Sequence, residues 1–473
     1  MERSKTYHKL QSSNKRDHCD WISALPDEIL ITILHELDTK SAVRTSILSR
    51  RWRYLWTFLQ SLHFSEISLP DNYCWVRLGP MQEEYLNTNK IHHFIPSLRW
   101  FTGIKRGNTA LRRLCLVFSD SAECTDAIDG AIASAVEQGV KDIDVAVVGL
   151  TNYEFPSWLF SGATCSSLAS LSLNHCKLSV SLSFKGFSAL TKLVLVAMDM
   201  TLKDTQVLLM NCKSLKSLYL IEMIDIRVIQ LPKLEELVWP WSFPCGAFKI
   251  DTLALRRLEY CGVVLPASTF QSLPCLEHVS LQYLRGDHPD CHAEKLRLRT
   301  ISTCFPHVKS LHLRYEVPKF VKPGTPAIFS KLRVLTLSIA TKPSDDLFWM
   351  TMFVVAAPFL VTLQTNVRYL SFLESCNGVM WDDSDFQHNN LKEVEMYNFK
   401  GRDNEIGFAR LLLHRAPNIR RIALSQARLR EAVDHQCTPP DWPKAEEFSP
   451  RDNQLVISKL LHGVSSSVRV LFV

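Results

Sequence analysis

From residue 111 to residue 473, apolar and polar positions recur in one grouping, apolar-x-x-apolar-x-apolar. The copies are Leu111-Leu114-Leu116, Val140-Ile143-Val145, Leu168-Leu171-Leu173, Leu190-Leu193-Leu195, Leu215-Leu218-Leu220, Leu234-Leu237-Trp239, Leu255-Leu258-Tyr260, Leu276-Val279-Leu281, Val308-Leu311-Leu313, Leu332-Leu335-Leu337, Leu360-Leu363-Thr365, Leu391-Val394-Met396, Ile419-Ile422-Leu424 and Val468-Leu471-Val473. Each grouping predicts a short strand whose last two apolar residues point inward. The chain between two strands then returns as a helix or an irregular arc.

One copy of this grouping cannot bury its own apolar face, whereas stacked copies share a continuous core. Most steps between copies are about 19 to 32 residues long, which is an uneven leucine-rich-repeat period. A single copy would carry little weight, because leucine-rich cores produce it by chance. The recurrence therefore predicts an α/β fold built as an irregular leucine-rich-repeat solenoid.

A compact helical unit precedes the repeats, between Leu25 and Trp56. Pro26 suits the first position of a helix, and Asp27 and Glu28 suit the positive end of its dipole. Apolar residues then recur at helical spacing and form one broad stripe. The members of the stripe are Ile29, Leu30, Ile33, Leu34 and Leu37.

Two shorter helices are predicted to follow this first one. Asp38-Thr39 ends the first helix and caps the second, and Ser49 is suited to cap the third. The apolar positions of these two helices are Val43, Ile47, Trp52, Leu55 and Trp56. Three short helices in some 40 residues make only a marginal core. An apolar face of this size needs covering, so the pattern predicts a fixed protein partner.

Composition narrows the class of protein. Hydrophobic residues make up 46% of the 473 residues and charged residues 22%, as in ordinary globular proteins. A net charge of +6 is too small at this length to indicate nucleic-acid binding. The fourteen cysteines are scattered singly, which favours a reducing intracellular compartment. The longest apolar run, Met350 to Val361, is too short to span a membrane, so no membrane partner is expected.

Catalytic and cofactor motifs are missing from the sequence. It contains no G-x-S-x-G, no G-x-x-x-x-G-K-[ST], no G-x-G-x-x-G and no H-E-x-x-H. Asp287 to His292 lacks the ligand spacing of a metal site, and Trp381 to Asp385 lacks the glycine and terminal glutamate of a calcium loop. We therefore expect a protein that is not an enzyme and that holds no metal and no cofactor.

The run Ser49-Arg50-Arg51-Trp52-Arg53 allows a second interpretation. Arginine clusters contact phosphates, and three short helices suit a helix-turn-helix. The chain lacks a broader basic domain, however, and the repeats would have no role in binding DNA. We favour a solvated face on a short amphipathic helix.

The helical unit resembles an F-box of the plant type. Three stretches carry the resemblance, namely residues 25–30 (LPDEIL), 42–49 (AVRTSILS) and 51–56 (RWRYLW). Residues 155–160 (FPSWLF) are similar to the start of the repeats in leucine-rich F-box proteins. Residues 391–424 and the stretch from Ser458 to Val473 resemble their C-terminal FBD segment. The resemblance covers roughly residue 20 to the end.

This resemblance implies the substrate-recognition subunit of an SCF-type cullin–RING ubiquitin ligase. The F-box would dock on the SKP-family adaptor, and through it on cullin, while the repeats would bind a protein target. The residues that would supply adaptor contacts, or the core beneath them, are Leu25, Pro26, Ile29, Leu30, Ile33, Leu34, Val43, Trp52, Leu55 and Trp56. Ubiquitin transfer itself would occur on other subunits, in the nucleus, the cytoplasm or both.

Two other functions stay open. The chain could be a leucine-rich interaction protein that works outside any ligase, or a small-molecule receptor that also carries an F-box. With these functions, as with the ligase function, the side chains that flank the inward strand positions would line the concave face, where the target is expected to bind. They are Arg113, Asn174, Lys192, Tyr219, Glu236, Glu259, His278, Gln282, His312, Arg314, Gln364, Glu393, Glu395 and Tyr397. Their mixed charge favours a protein partner, although binding through loops or the convex side is the alternative.

Five segments are expected along the chain. They are a disordered tail (1–19), the F-box (20–65), a helical linker (66–110), the leucine-rich-repeat solenoid (111–390), coiled as a right-handed β-α superhelix, and an FBD-like segment that closes it (391–473). Within the linker, Ile91 to Trp100 suggests a helix interrupted by Pro96.

Overall fold

The structure is a computed structural model of the 473-residue chain. It describes residues 21–22, 24–66, 94–103, 110–119, 122–149, 152–161, 167–223, 226, 228–239, 249–261, 273–283, 298–315, 328–370, 386–427, 429, 449–463 and 468–473. The expected disordered tail and the two loops weighed as metal sites lie outside these residues.

Parallel strands dominate the described residues. The strands are β1 (Ser61–Ser65), β2 (Arg113–Ser119), β3 (Asp142–Val148), β4 (Ser170–Asn174), β5 (Lys192–Val196), β6 (Ser217–Ile221), β7 (Val228–Gln230), β8 (Glu236–Trp239), β9 (Lys249–Asp251), β10 (Arg257–Cys261), β11 (His278–Tyr283), β12 (Ser310–Tyr315), β13 (Val334–Thr341), β14 (Thr362–Tyr369), β15 (Glu393–Tyr397), β16 (Arg421–Leu424) and β17 (Arg469–Phe472). Fifteen of them form one parallel sheet in chain order, and β7 pairs with β9 in a separate two-stranded sheet.

Helices and turns connect these strands. The α-helices are α1 (Asp27–His35), α2 (Thr39–Arg44), α3 (Trp52–Leu55), α4 (Phe94–Gly103), α5 (Ala122–Glu137), α6 (Leu202–Asn211), α7 (Leu298–Cys304), α8 (Thr351–Val355), α9 (Asp403–Arg415) and α10 (Pro450–Leu461). Short 3₁₀ turns cover Thr45–Ile47, Trp56–Phe58, Ser157–Phe160 and Phe348–Met350. Among the described helices, none is long and apolar enough to cross a bilayer.

The predicted fold class is confirmed. Thirteen of the fourteen groupings lie on strands of the large sheet with their last two apolar positions turned to one face, as in the pair Leu171↔Leu193 of β4 and β5. Nearly all of these side chains are buried in one continuous cluster that also contains Leu30 and Leu34 of the helical unit. Stacking of neighbours therefore makes the core that no single repeat could make.

The last grouping has a different register from the one predicted. Val468-Leu471-Val473 would place Leu471 in the core, but Leu471 is 41% exposed. Val470 and Phe472 instead pair with Ile422 and Leu424 and pack against the core. The hydrogen-bonded register of β16 sets the facing of β17, and a shift of one residue exchanges the two faces of a strand.

Two features of the N-terminal region differ from the sequence pattern. The large sheet begins at β1, far upstream of the first predicted grouping. Within the described residues, the helix suggested over Ile91 to Trp100 spans Phe94–Gly103. It continues past Pro96, so this proline does not interrupt it.

The C-terminal segment continues the same sheet. The helices α9 and α10 lie between its strands and contact one another: Lys459 pairs with Asp403 at 3.2 Å, and Arg410 donates to the carbonyl of His462 at 3.1 Å. Ser449 and Asp452 form a capping box at the start of α10. The segment resembling the FBD is thus built from the same strand–helix units as the repeats.

Candidate interaction surfaces

The first helix divides its apolar stripe between two surroundings. Leu30 and Leu34 are fully buried, whereas Ile29 and Ile33 are 46% and 40% exposed. Residues four apart lie on one face of a helix, so Leu30 and Leu34 share the buried face and Ile29 and Ile33 share the exposed one. The stripe is therefore wider than the core that α1 covers, and its outer half remains open.

Polar contacts fix the helices around this face. The Arg51 Nε donates to Asp27 Oδ1 at 2.7 Å, and an Arg51 NH2 donates to the Leu25 carbonyl at 2.5 Å. These bonds join the start of α3 to the start of α1. Arg51, which the sequence also allowed as a phosphate contact, thus serves inside the helical unit.

The second helix is capped as its sequence predicts. Asp38 Oδ1 accepts a hydrogen bond from the Ser41 backbone N–H at 2.8 Å. Burial opposes ionisation of Asp38, but hydrogen bonds from Ser41 and from nearby backbone N–H groups together hold the pKa of this carboxyl below its usual value. The ionised carboxylate therefore stabilises the helix terminus.

The third helix turns its tryptophans inward. Trp52, Leu55 and Trp56 are all buried. The ring of Trp56 stacks on Trp100 of α4 with centroids 4.4 Å apart, and its Nε1 donates to the Arg53 carbonyl at 3.1 Å. Trp56 therefore connects the helical unit to the rest of the chain and is not open to a partner.

The ten residues proposed for adaptor contact fall into three groups. Pro26, Ile29 and Ile33 are exposed, and Leu25 and Val43 are partly buried. The core beneath them contains the remaining five, which are Leu30, Leu34, Trp52, Leu55 and Trp56. Only the first two groups are accessible to another protein in this structure.

Two further exposed apolar side chains follow α2: Ile47, which the sequence placed on the second helix, and Leu48, which it did not single out. Ile47 is 85% exposed and Leu48 is 64% exposed. Both lie where the 3₁₀ turn Thr45–Ile47 ends α2, so helical periodicity gives no guide to their direction. Including the exposed stripe residues, the large apolar side chains open to solvent between residues 21 and 58 are Trp21, Ile22, Ile29, Ile33, Leu37, Ile47, Leu48, Tyr54 and Phe58.

The second candidate surface is the face of the large sheet opposite the core. The pairing register of the strands places all fourteen residues predicted for the concave face on this side of the sheet. They form three rows that run across the strands. The first strand positions include Arg113, Lys192, Glu236, His278 and Glu393; the third positions include Tyr219, Glu259, His312, Gln364 and Glu395; the fifth include Asn174, Gln282, Arg314 and Tyr397.

The rows differ in accessibility. Asn174 and Gln282 in the fifth-position row are only 2% and 5% exposed. Arg113, Lys192 and His278 in the first-position row are exposed. The accessible part of this face therefore lies toward the amino-terminal ends of the strands.

Hydrogen bonds join the polar side chains near the C-terminal end of the sheet. Thr336 Oγ1 donates to Gln364 at 2.8 Å, and Gln364 Nε2 donates to Glu395 at 2.9 Å. The Tyr397 hydroxyl donates to the same carboxylate at 3.0 Å, and Arg421 pairs with it as well. Burial and this hydrogen bond raise the pKa of Tyr397. The cluster is a preformed set of hydrogen-bonding groups.

A smaller group lies toward the middle of the sheet. The Tyr219 hydroxyl donates to Glu236 at 2.8 Å, and the ammonium of Lys192 lies 5.2 Å from the centre of the Tyr219 ring. Arg257 lies 3.6 Å from the Glu236 carboxylate. Burial comes first and Arg257 second among the causes that lower the pKa of His278. Within the described residues, no group of three or more His, Cys, Asp or Glu side chains could hold a metal ion.

Comparison with protein families gives two matches. The F-box domain model matches residues 22–64. A model described as the leucine-rich-repeat domain of At1g61320/AtMIF1 matches residues 104–448, which is well over half of the chain.

Curated relatives from Arabidopsis thaliana carry corresponding names. The chain is 26% identical over 265 residues to the putative F-box/LRR-repeat protein At3g59230, covering 52% of this chain and 50% of the relative. It is 27% identical over 253 residues to the F-box/FBD/LRR-repeat protein At5g56420, covering 51% and 54%. A stretch of 46 residues is 61% identical to the F-box/LRR-repeat protein At5g02910, covering 10% of each. The chain spans about half the length of the curated relatives it matches.

Proposed function

The chain belongs to the plant F-box/leucine-rich-repeat proteins with an FBD segment, and from that premise we propose that it is the substrate-recognition subunit of an SCF-type cullin–RING ubiquitin ligase. Proteins of this family are generally adaptors without catalytic activity of their own. The F-box would dock on an SKP-family adaptor, and through it on cullin. The repeats would hold a protein target for ubiquitination.

The main support for this proposal is the solvent-exposed part of the apolar stripe on α1. Ile29 and Ile33 are exposed on α1, the same helix that buries Leu30 and Leu34. Isolated apolar side chains are common on protein surfaces, but several in one short helical unit mark an interaction site. Such a face suits partner helices that pack onto apolar anchors.

The junction between helices and sheet supports a role in positioning. The His63 N–H in β1 donates to Thr39 Oγ1 of α2 at 2.8 Å, and Trp56 stacks on Trp100. The helical unit and the first strand therefore share a core without a flexible linker between them. A target held on the sheet would be kept near the ligase, which raises the local concentration of its lysines at the conjugating enzyme.

Adaptor binding is tested by the double variant Ile29→Asp with Ile33→Asp. Two buried carboxylates at an apolar interface are expected to weaken adaptor binding by at least about tenfold, the scale of a lost interface anchor. The measurement is co-purification of SKP-family adaptor and cullin with the tagged full chain, followed by titration of purified adaptor. Pro26→Ala is expected to weaken binding in the same direction.

The matched control is Leu182→Asp with Leu253→Asp, two exposed leucines of the repeat region. This variant is expected to bind adaptor like the parent chain. Full retention of the adaptor by the Ile29/Ile33 variant would overturn the proposal. So would a parent chain that purifies without adaptor and cullin, and this result would favour a leucine-rich interaction protein outside the ligase.

We also propose that the protein acts in the nucleus, the cytoplasm or both. Cys176, Cys212 and Cys304 are buried and form no disulfide bond in the structure. Burial raises the pKa of the Cys212 thiol to about 12, so this cysteine acts as a small apolar residue. Free thiols of this kind suit a reducing compartment. Imaging of a fluorescently tagged full chain checks this location, and a signal confined to the secretory pathway would contradict it.

A further inference from the structure

One edge of the large sheet carries a row of charged residues that the proposed function does not use. Just before each strand, a backbone N–H donates to the carbonyl of the equivalent residue in the preceding repeat, at 2.8 to 3.0 Å throughout. We call the thirteen positions stacked in this way the basic row. They are Arg112, Lys141, Ala169, Thr191, Lys216, Glu235, Arg256, Glu277, Lys309, Arg333, Val361, Lys392 and Arg420.

The basic row concentrates the charge of the protein. It contains eight cations and two anions, an excess of six positive charges. The formal net charge of the whole chain is also +6. The remaining residues are therefore neutral in sum.

Most of these cations are free to meet a ligand. The two anions are matched inside the row, since Lys216 lies 3.3 Å from Glu235 and Lys309 lies 2.7 Å from Glu277. The side chains that are exposed and form no ion pair with any other described residue are Arg112, Lys141, Arg256, Lys392 and Arg420. Of these, Arg256 also acts electrostatically on Glu277, and the charges of the other four are not neutralised by an ion pair within the described residues.

We propose that the basic row binds an acidic, extended segment of the target protein. This inference rests on the proposed function, because it names the chemical class of the target. Strands in a sheet lie about 4.8 Å apart, so the row extends for roughly 60 Å. An extended chain rises about 3.3 Å per residue, so a segment of about 18 residues matches its length. The row begins at β2, beside the Gln60 carbonyl that follows the F-box helices.

The composition of the row favours a peptide over a nucleic acid. Single-stranded nucleic acids bind where aromatic side chains stack on the bases, and the row has no aromatic member. Glu235 and Glu277 interrupt the positive charge and would repel a uniformly charged phosphate backbone. An acidic peptide can place neutral residues opposite these two positions.

The test compares two variants of equal charge. The row variant combines Lys141→Gln, Arg256→Gln, Lys392→Gln and Arg420→Gln. The control variant combines Lys185→Gln, Lys203→Gln, Lys400→Gln and Arg451→Gln, which are exposed residues outside the row. Each is prepared as the full chain bound to adaptor. The probes are fluorescein-labelled peptides of about 16 alternating Glu and Ser, or Lys and Ser, residues, and oligo-dT of similar length, followed by fluorescence anisotropy.

We expect the Glu/Ser peptide to bind the parent and the control variant equally, within about twofold. The row variant should bind it at least about tenfold more weakly. Each exposed charge pair contributes little alone, so four are removed together. Added salt should weaken the parent complex. Failure of the parent to bind this peptide, equal loss in both variants, or preference for oligo-dT would each overturn the proposal. Adaptor binding should be the same in the row variant as in the parent. A parent chain that does not bind the adaptor would count against the ligase role and not against the peptide site.

Discussion

Ile29 and Leu30 are neighbours in the chain, yet their side chains have opposite surroundings. Leu30 lies in the core with Leu34, while Ile29 and Ile33 remain open. Periodicity identified the stripe but could not divide it, because all five members are apolar. The division depends on how α3 lies against α1, which the Arg51 bonds to Asp27 and Leu25 fix across the chain.

This difference predicts unequal effects of truncation on stability. Leu34→Ala removes fully buried methyl groups and leaves a cavity, so the free energy of unfolding should fall by about 2–5 kcal/mol. Ile33→Ala is expected to cost less than about 1 kcal/mol, because Ile33 is exposed and its truncation leaves no enclosed cavity. Urea denaturation of the chain without adaptor measures both. Equal losses would show that the two side chains are buried alike.

The sequence did not reveal the partner of Trp56. It shares a side with Trp52 and Leu55 on the helix, and all three were proposed for the interface or the core beneath it. In the structure its partner is Trp100, 44 residues further on. A contact of that separation leaves no trace in local periodicity.

At the scale of elements, the cap of α2 gives a pH-dependent contribution. The pKa of Asp38 lies below its ordinary value of 3.8 in the folded chain. Between the folded and unfolded pKa values the unfolded chain binds more protons. The stabilisation is therefore present above about pH 4 and is lost as the pH falls through the folded pKa.

Asp38→Ala should accordingly destabilise the chain by about 1 kcal/mol at neutral pH, a typical cost of a lost N-cap. The difference from the parent should shrink at about pH 3. Denaturation curves of both chains at the two pH values check this. A difference that grows on acidification would contradict the assigned cap.

Strand positions were predictable because the repeats reinforce one another. Thirteen groupings lie on strands and face the expected side of the sheet. Each of these strands pairs in register with a neighbour that has the same apolar pattern. The last strand differs because its segment, RVLFV, is apolar on both faces. Only the pairing with β16 selects Val470 and Phe472 for the core. The strand β1 was missed although Leu59-Leu62-Phe64 carries the same grouping, because this copy stands alone, about 50 residues before its partner β2.

On the scale of the whole molecule, the helical unit and the repeats form one body. Leu59 and Leu62 are buried between the F-box helices and the sheet, and the core cluster runs from Leu30 to Leu460 without a break. In stacked repeats, stability depends mainly on nearest neighbours. A change at the junction should therefore loosen the N-terminal end and leave the distant strands as they are.

Hydrogen exchange of Trp100→Ala tests this coupling. Loss of the ring that covers Trp56 should speed amide exchange in α1 and α3, while exchange in β12 to β16 stays unchanged. Trp158→Ala is the matched control, because Trp158 is 68% exposed and truncating it should leave α1 and α3 protected. Unaltered protection of the F-box helices in Trp100→Ala would mean that the junction does not hold them.

The clamp between Thr39 and His63 has a consequence for any cargo carried on the sheet. Because no flexible joint separates the helices from β1, each additional strand places a bound target about 4.8 Å farther from the helices. The strand that a target engages would then act as a ruler, determining which of its lysines come within range of modification.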